Sequence, residues 1–169
     1  TNSGKIRAEG GTVVLSAQAA KAAVDNVINM SGVINVSSVS MQGGKIVLSG
    51  GKTGTVRVSG KMKAGGTTGG NIDVSGENVK VTNTGRIKTT TGGNINLTAT
   101  ASVDPETTTD AGNILINGIV NAKGGNIALS QTGYFDGDAD SLRTTGTGTI
   151  ALNQNKRGIY GVIQTAIDA

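Results

Sequence analysis

Residues 93–98 read GNINLT: a glycine, one variable residue, and then apolar residues alternating with polar ones. Seven further segments repeat this form, beginning at Gly11, Gly44, Gly54, Gly70, Gly112, Gly125 and Gly148. Alternation with a period of two, bounded by glycine, asparagine, serine and threonine, predicts a half-buried β-strand. A unit that recurs in this way buries its apolar side only by stacking on its neighbours, so the pattern predicts a solenoid.

A shorter motif, again a glycine followed by alternating residues, begins at Gly4, Gly32, Gly60, Gly85 and Gly118. When the strands are grouped in threes, the inward residues form the sets Ile28/Ile34/Ile46, Val56/Met62/Ile72, Val79 or Val81/Ile87/Ile95, Ile114/Val120/Ile127 and Phe135/Leu142/Ile150, preceded by Ile6 and Val13. Each set predicts one coil of three strands. The sequence therefore predicts an all-β parallel β-helix of about six coils, with glycine and asparagine at the corners because both tolerate positive φ.

The composition agrees with this fold and excludes a disordered chain, a large aromatic core and a disulfide-stabilised fold. The chain has 169 residues, 28 glycines, one proline and 36% apolar residues, which is too apolar for a disordered segment. Aromatic residues make up only 2%, so stability must come from ranks of Ile, Val and Leu. The absence of cysteine excludes disulfides and thiolate metal sites. Because Thr1 already lies inside a repeat, we expect the sequence to be part of a longer protein.

Three segments interrupt the repeats. We predict a β-helix shaft over residues 1–155 and a terminal strand or cap over residues 156–169. Residues 17–29, AQAAKAAVDNVIN, have alanines and apolar spacing that predict a short amphipathic helix. Residues 98–110 are polar and contain the single proline, which predicts an exposed loop, and residues 136–147 predict a second corner loop.

The charge pattern favours solvated strand faces over a nucleic-acid footprint. The net charge is +4, from 15 Lys and Arg against 11 Asp and Glu, and the bases occur singly along the strands. Nucleic-acid binders usually cluster their bases and add stacking aromatic residues. We therefore expect no nucleic-acid partner.

No catalytic, cofactor-binding or metal site is predicted. Polysaccharide-cleaving β-helix enzymes need paired acidic residues facing one groove. The tripeptide Arg86-Ile87-Lys88 matches one found in polygalacturonases, but those enzymes also need a histidine, and this chain has none. On an alternating strand, Arg86 and Lys88 both point outward. The protein is therefore predicted not to be an enzyme.

Asp136, Asp138 and Asp140 have the spacing that begins a calcium loop. A complete loop of the EF-hand type needs glycine at its sixth position and glutamate at its twelfth, where this chain has Ser141 and Thr147. A solvated turn is the favoured interpretation, and weak calcium binding by the three aspartates stays open.

Residues 10–39 read GGTVVLSAQAAKAAVDNVINMSGVINVSSV, and residues 43–66 and 69–81 continue with GGKIVLSGGKTGTVRVSGKMKAGG and GGNIDVSGENVKV. From residue 11 to residue 76 the chain resembles the filamentous haemagglutinin-like adhesins, the large exoproteins of bacterial two-partner secretion. The resemblance implies a right-handed parallel β-helix that is exported through an outer-membrane transporter and folds outside a Gram-negative cell. Members of that family serve as adhesins, haemolysins, haem-acquisition proteins or toxin-delivery stalks.

Three functional hypotheses follow. The first is a structural or adhesive segment of a secreted surface exoprotein, with a host-cell receptor or glycan that the sequence does not identify. The second is a self-assembling extracellular filament subunit, favoured if the apolar ranks at Ile6/Val13 and Ile159/Val162 are open at the ends of the stack. The third is a polysaccharide-active β-helix enzyme.

Overall fold

A computed structural model describes residues 1–17, 26–38, 43–101, 111–154 and 166–168. Within these ranges the chain forms eighteen strands and no helix. None of the described residues belongs to a helix long and apolar enough to cross a membrane. In chain order the strands are β1 Lys5–Arg7, β2 Thr12–Ser16, β3 Asn26–Met30, β4 Val33–Asn35, β5 Lys45–Ser49, β6 Thr55–Val58, β7 Lys61–Ala64, β8 Asn71–Gly76, β9 Asn78–Val81, β10 Arg86–Thr89, β11 Asn94–Ala99, β12 Ile114–Ile116, β13 Ile119–Ala122, β14 Ile127–Gln131, β15 Phe135–Gly137, β16 Leu142–Thr145, β17 Ile150–Gln154 and β18 Ala166–Asp168.

The strands pair in parallel to form three sheets. The first sheet has the order β1-β4-β7-β10-β13-β16-β18, the second β2-β5-β8-β11-β14-β17, and the third β3-β6-β9-β12-β15. From β1 to β17 the chain visits the first, second and third sheets in turn and then starts again. This is a parallel β-helix with three strands per coil, so the predicted fold class is confirmed.

The register confirms every inward residue that the alternation predicts. In the second sheet Ile72 pairs with Ile95, and Ile95 pairs with Ile127. In the third sheet the residue that pairs with both Val56 and Ile114 is Val79, not Val81. Within each sheet these inward residues stack in one column along the axis. The columns are Ile6, Ile34, Met62, Ile87, Val120 and Leu142 in the first sheet; Val13, Ile46, Ile72, Ile95, Ile127 and Ile150 in the second; and Ile28, Val56, Val79, Ile114 and Phe135 in the third. One continuous apolar core runs along the axis of the stack.

Three of the glycines that open long motifs, Gly70, Gly93 and Gly125, are required by close stacking, whereas a fourth, Gly112, has a positive φ of 74°. A Cβ atom added to Gly93 would overlap the carbonyl oxygen of Gly70, and one added to Gly125 would overlap that of Gly93. The predicted positive φ at corner glycines is confirmed, but it is not found at Gly70, Gly93 or Gly125. Positive φ falls instead on the preceding residues Gly69, Gly92 and Gly124, with values of 81°, 79° and 65°.

The corner asparagines also act differently from the prediction. Among the described residues Asp140 is the one non-glycine residue with positive φ, at 60°. The buried Asn78 and Asn113 instead use their side chains to hold successive coils together. The Oδ1 atom of Asn78 accepts a hydrogen bond of 2.9 Å from the backbone N–H of Asn113. The Oδ1 atom of Asn113 accepts one of 2.9 Å from the backbone N–H of Tyr134.

The predicted helix over residues 17–29 is wrong at its carboxyl end. Its last four residues lie in β3, Asn26–Met30, and Ile28 is buried against the next coil. Ile28 pairs in register with Val56, so stacking on the neighbouring coil outweighs the helix propensity of the preceding alanines. Residues 18–25 of the predicted helix lie outside the described residues.

Both predicted loops are shorter than their sequences indicate. Thr98 and Ala99 belong to β11, and residues 102–110 lie outside the described residues. The second loop, residues 136–147, is wrong over half of its length, because it contains the end of β15 and all of β16. Leu142 enters the core in register with Val120, and this pairing turns a polar segment into a strand.

The predicted terminal strand or cap over residues 156–169 includes β18, which pairs with β16 through Thr144 and Ile167. Ile159 and Val162, on which the filament hypothesis partly depends, lie outside the described residues, and that hypothesis stays a prediction.

Candidate functional site

Arg86 and Lys88 both project outward from β10, as predicted, while Ile87 between them is buried. The Nη1 atom of Arg86 donates hydrogen bonds to the carbonyl oxygens of Asn83 at 2.7 Å and Gly85 at 2.8 Å. These bonds fix the guanidinium group at the corner before the strand. Within the described residues neither side chain forms an ion pair with a carboxylate.

The outer face of the first sheet collects basic residues that are far apart in the sequence. Lys61 of β7 pairs with Arg86 of β10, and Lys63 pairs with Lys88. Lys5, Arg7 and Arg143 lie on the same sheet, whose seven strands contain one acidic residue, Asp168 of β18. Bases that occur singly in the sequence are therefore brought together on this basic face, where β7 and β10 are adjacent strands.

The outer face of the second sheet carries a ladder of amide side chains. The Nδ2 atom of Asn96 donates a 2.7 Å hydrogen bond to Asp73, whose other carboxylate oxygen forms a 3.0 Å ion pair with Lys45. Asn94 and Asn126 continue the ladder through Oδ1 atoms that accept from backbone N–H groups of the next coil. A shallow groove of about 400 Å³ lies over these residues. Its polar atoms largely bind one another.

A second shallow groove, of about 450 Å³, lies where the second sheet turns towards the third. We call it the Gln131 groove. Its lining residues are Thr98, Ala99, Thr100, Ser130, Gln131, Thr132, Leu152 and Asn153. None of these lining residues is charged. The Oγ1 atom of Thr132 accepts a 2.8 Å hydrogen bond from the backbone N–H of Ala101, which fixes one wall.

Gln131 is the unusual residue of this groove. It ends β14 at an inward position, in register with Ala99 of the preceding coil, and only 3% of it is exposed. Neither the Nε2 nor the Oε1 atom of its side chain has a hydrogen-bond partner. The sequence contained a signal for it, because Gln131 continues the inward alternation of Ile127 and Leu129 with a polar residue. The prediction of no site residues passed over this break in the pattern.

The three aspartates of the predicted solvated turn do not come together as a cluster. Asp136, Asp138 and Asp140 are all exposed. The carboxylate of Asp138 accepts a 3.1 Å hydrogen bond from Nδ2 of Asn117, and the carbonyl oxygen of Asp140 accepts one of 2.9 Å from Nε of Arg143. Across the described part of the chain, no group of three metal-ligating side chains comes together.

Comparison with known proteins gives no relative. No protein-family model, no curated protein and no solved structure matches the chain.

Proposed function

We propose that this chain is a segment of the shaft of a large secreted bacterial surface exoprotein, where it projects or mediates cell adhesion. The observation that carries the proposal is the unbroken register, in which each coil repeats the pairing of the one before. In such an array each coil contacts only its neighbours, and more coils lengthen the rod without changing its cross-section. This architecture suits a protein that spans a distance.

Export and location belong to the same proposal and are supported by the sequence. The resemblance over residues 11–76 favours export through the outer-membrane transporter of a two-partner system and a final position on the surface of a Gram-negative cell. A chain without cysteine needs no oxidative folding on its way out. A solenoid can also fold from one end, coil by coil, as it emerges. The proposed role is non-catalytic, which accords with the absence of histidine from the chain.

The proposal is tested by fusing the chain behind the secretion domain of a two-partner exoprotein and expressing it with the matching transporter. We expect the chain to reach the cell surface, to resist added protease, and to increase attachment of the bacteria to cultured epithelial cells. The Ile95→Asp variant, which disrupts the core, is the control that should lose protease resistance and attachment together. A wild-type chain that stays inside the cell or is digested as fast as this variant would contradict the proposal.

A further inference from the structure

Seven bases share the basic face of the first sheet: Lys5, Arg7, Lys61, Lys63, Arg86, Lys88 and Arg143. The five bases of this set other than Arg86 and Arg143 are exposed, and those two are half-buried. Across the described part of the chain the one ion pair joins Lys45 to Asp73 on the second sheet, so none of the seven has a carboxylate partner there. Because directly opposed like charges are destabilising, a bound anion would stabilise this face.

The bases lie in two straight rows that run along the axis of the stack, which we call the basic strip. One row reads Arg7, Asn35, Lys63, Lys88, Asn121 and Arg143, each in register with the next. The other row reads Lys5, Val33, Lys61, Arg86 and Ile119. Neighbouring strands are about 4.8 Å apart, so the first row is about 24 Å long, and the two rows are about 7 Å apart. The strip is therefore long, straight and narrow.

The acidic residues nearest to the strip lie towards its ends. Glu9 is exposed and follows Arg7 by two residues, and Asp140 lies in the corner before β16. Asp168 of β18 is in register with Thr145 rather than with Arg143. The strongest positive charge is therefore at the centre of the strip, where β7 and β10 are adjacent.

We propose that the basic strip binds a linear polysaccharide whose sugars carry carboxylates, a polyuronate. Such a polymer carries its charges along a line and sets them against bases on successive strands. The guanidinium of Arg86 is held by the carbonyl oxygens of Asn83 and Gly85 through Nη1, and these bonds use two of its five N–H donors. The remaining donors have the fork geometry that binds a carboxylate. This assignment goes beyond the proposed shaft, because it requires neither export nor attachment.

The amides of the strip favour a polyuronate over other polyanions. Asn35 and Asn121 alternate with the bases of one row, and the Oδ1 atom of Asn35 is fixed by a 3.0 Å hydrogen bond from the backbone N–H of Ser37. A polyuronate offers hydroxyls to the amides as well as carboxylates to the bases. Single-stranded nucleic acids also need aromatic side chains for stacking, and the seven strands of the sheet contain none. An anionic bilayer is much wider than two rows of side chains, so most of its headgroups would lie beyond the strip.

The other outer faces are less suitable among the described residues. The outward row of the third sheet is Asn29, Arg57, Lys80, Leu115 and Asp136, in which two bases are followed by an apolar residue and a carboxylate. On the second sheet Lys45 is already paired with Asp73. The pair Arg57 and Lys80 nevertheless provides a control, because it is directly opposed on adjacent strands as Lys63 and Lys88 are.

Calorimetric titration of the whole chain tests the assignment. The probes are hexagalacturonate, the neutral maltohexaose, and hexathymidylate, which is a phosphate polymer of similar length. We expect sub-millimolar binding of hexagalacturonate that weakens as salt is added, and no measurable binding of maltohexaose. Hexathymidylate should bind at least about threefold more weakly, because it does not satisfy the amides. No binding of hexagalacturonate, equal or tighter binding of hexathymidylate, or co-sedimentation with phosphatidylglycerol vesicles at physiological salt would overturn the proposal.

A pair of double variants locates the binding. Lys63→Gln with Lys88→Gln removes the central bases, so we expect the affinity for hexagalacturonate to fall about tenfold or more. The melting temperature should stay equal or rise, because a repulsion is removed. The matched control is Arg57→Gln with Lys80→Gln, which lowers the net charge equally on the third sheet and should change the affinity less than about twofold. Equal losses in the two double variants would show that net charge, and not the strip, is responsible.

Asn121→Ala tests the recognition of sugar hydroxyls separately from charge. We expect it to weaken hexagalacturonate about threefold and to leave the affinity for hexathymidylate unchanged. Equal effects on both probes, or no effect on either, would remove the amide from the recognition and overturn the assignment of a polyuronate. Since these measurements use the isolated chain, such a result would leave the proposed shaft intact.

Discussion

Gly93 illustrates at the residue scale how the coil spacing dictates the sequence. Parallel strands lie about 4.8 Å apart, and at the start of the second sheet successive coils come together through their backbones. Gly70, Gly93 and Gly125 stack in one column there, and a Cβ atom on each would overlap the backbone of the preceding coil. The recurring glycine of the motif is therefore a packing requirement that is repeated once per coil.

Replacing Gly93 by alanine should destabilise the protein more than replacing a glycine with positive φ. The Cβ atom of Gly93→Ala meets the carbonyl oxygen of Gly70, which moves only with the whole strand, so we expect a loss of about 3 kcal/mol. Gly146 has a φ of 63° and open space around it, so Gly146→Ala should cost about 1 kcal/mol through backbone strain alone. Urea denaturation measures both, and the reverse ranking would contradict the packing argument.

A charge placed in the inward rank should be far more damaging than one on the outward face. Ile95 is fully buried between Ile72 and Ile127, so Ile95→Asp buries an unpaired carboxylate and should cost more than about 4 kcal/mol. Val14 projects outward from β2 and is 58% exposed, so Val14→Asp should change stability by less than about 0.5 kcal/mol. Circular dichroism during thermal unfolding distinguishes them. A cooperative transition in the Ile95 variant at the wild-type temperature would refute the inward assignment.

At the element scale, strands that look unrelated in the sequence share one electrostatic surface. Lys63 and Lys88 are 25 residues apart in the chain and directly opposed on β7 and β10. Like charges that are directly opposed across a strand pair are destabilising, and within the described residues no acidic side chain is paired with either of them. The basic face therefore carries a repulsion that salt should screen.

Lys88→Glu should stabilise the protein at low salt. The new carboxylate opposes Lys63 on the neighbouring strand and turns a repulsion into an attraction, with an expected gain of about 0.5 kcal/mol. Lys88→Gln, which only removes the repulsion, should give a smaller gain. Thermal unfolding at low and at high ionic strength measures both, and the differences should shrink as salt is added. A gain that is independent of salt would point to a cause other than charge.

Period-two alternation made most strands predictable from the sequence, whereas the strand at Asn26–Met30 and the surfaces shared by several strands depend on how the coils stack. The alternation identified the inward residue of every coil, because period two is a local property of the chain. The strand at Asn26–Met30 was hidden by the alanines before it, since its conformation is imposed by pairing with β6. The basic face and the Gln131 groove depend on which residues become neighbours one coil apart. That relation appears only when the exact coil lengths are known.

On the scale of the whole molecule, the coil is the unit of stability. Almost all of the strand pairing is between one coil and the next, so the core has no layer that connects distant coils. Stability in such an array is the sum of the coils and of the interfaces between them. A coil can therefore be removed without loss of the fold, provided that the residues on either side meet in the same register.

Deletion of residues 61–85 tests this directly, because it joins Gly60 to Arg86, the register partner of Lys61. The deletion removes one coil and lets β4 pair with β10, β5 with β11 and β6 with β12. We expect a folded, shorter rod with a sheet-like circular dichroism spectrum and a single transition a few degrees below that of the wild type.

The control deletes residues 61–70 and joins Gly60 to Asn71. Every later strand then moves to the wrong sheet, and Ile72 takes the place of Met62 while the corners no longer coincide. We expect that chain to lose its cooperative transition. If the two deletions unfold alike, the register between coils is not what holds the molecule together.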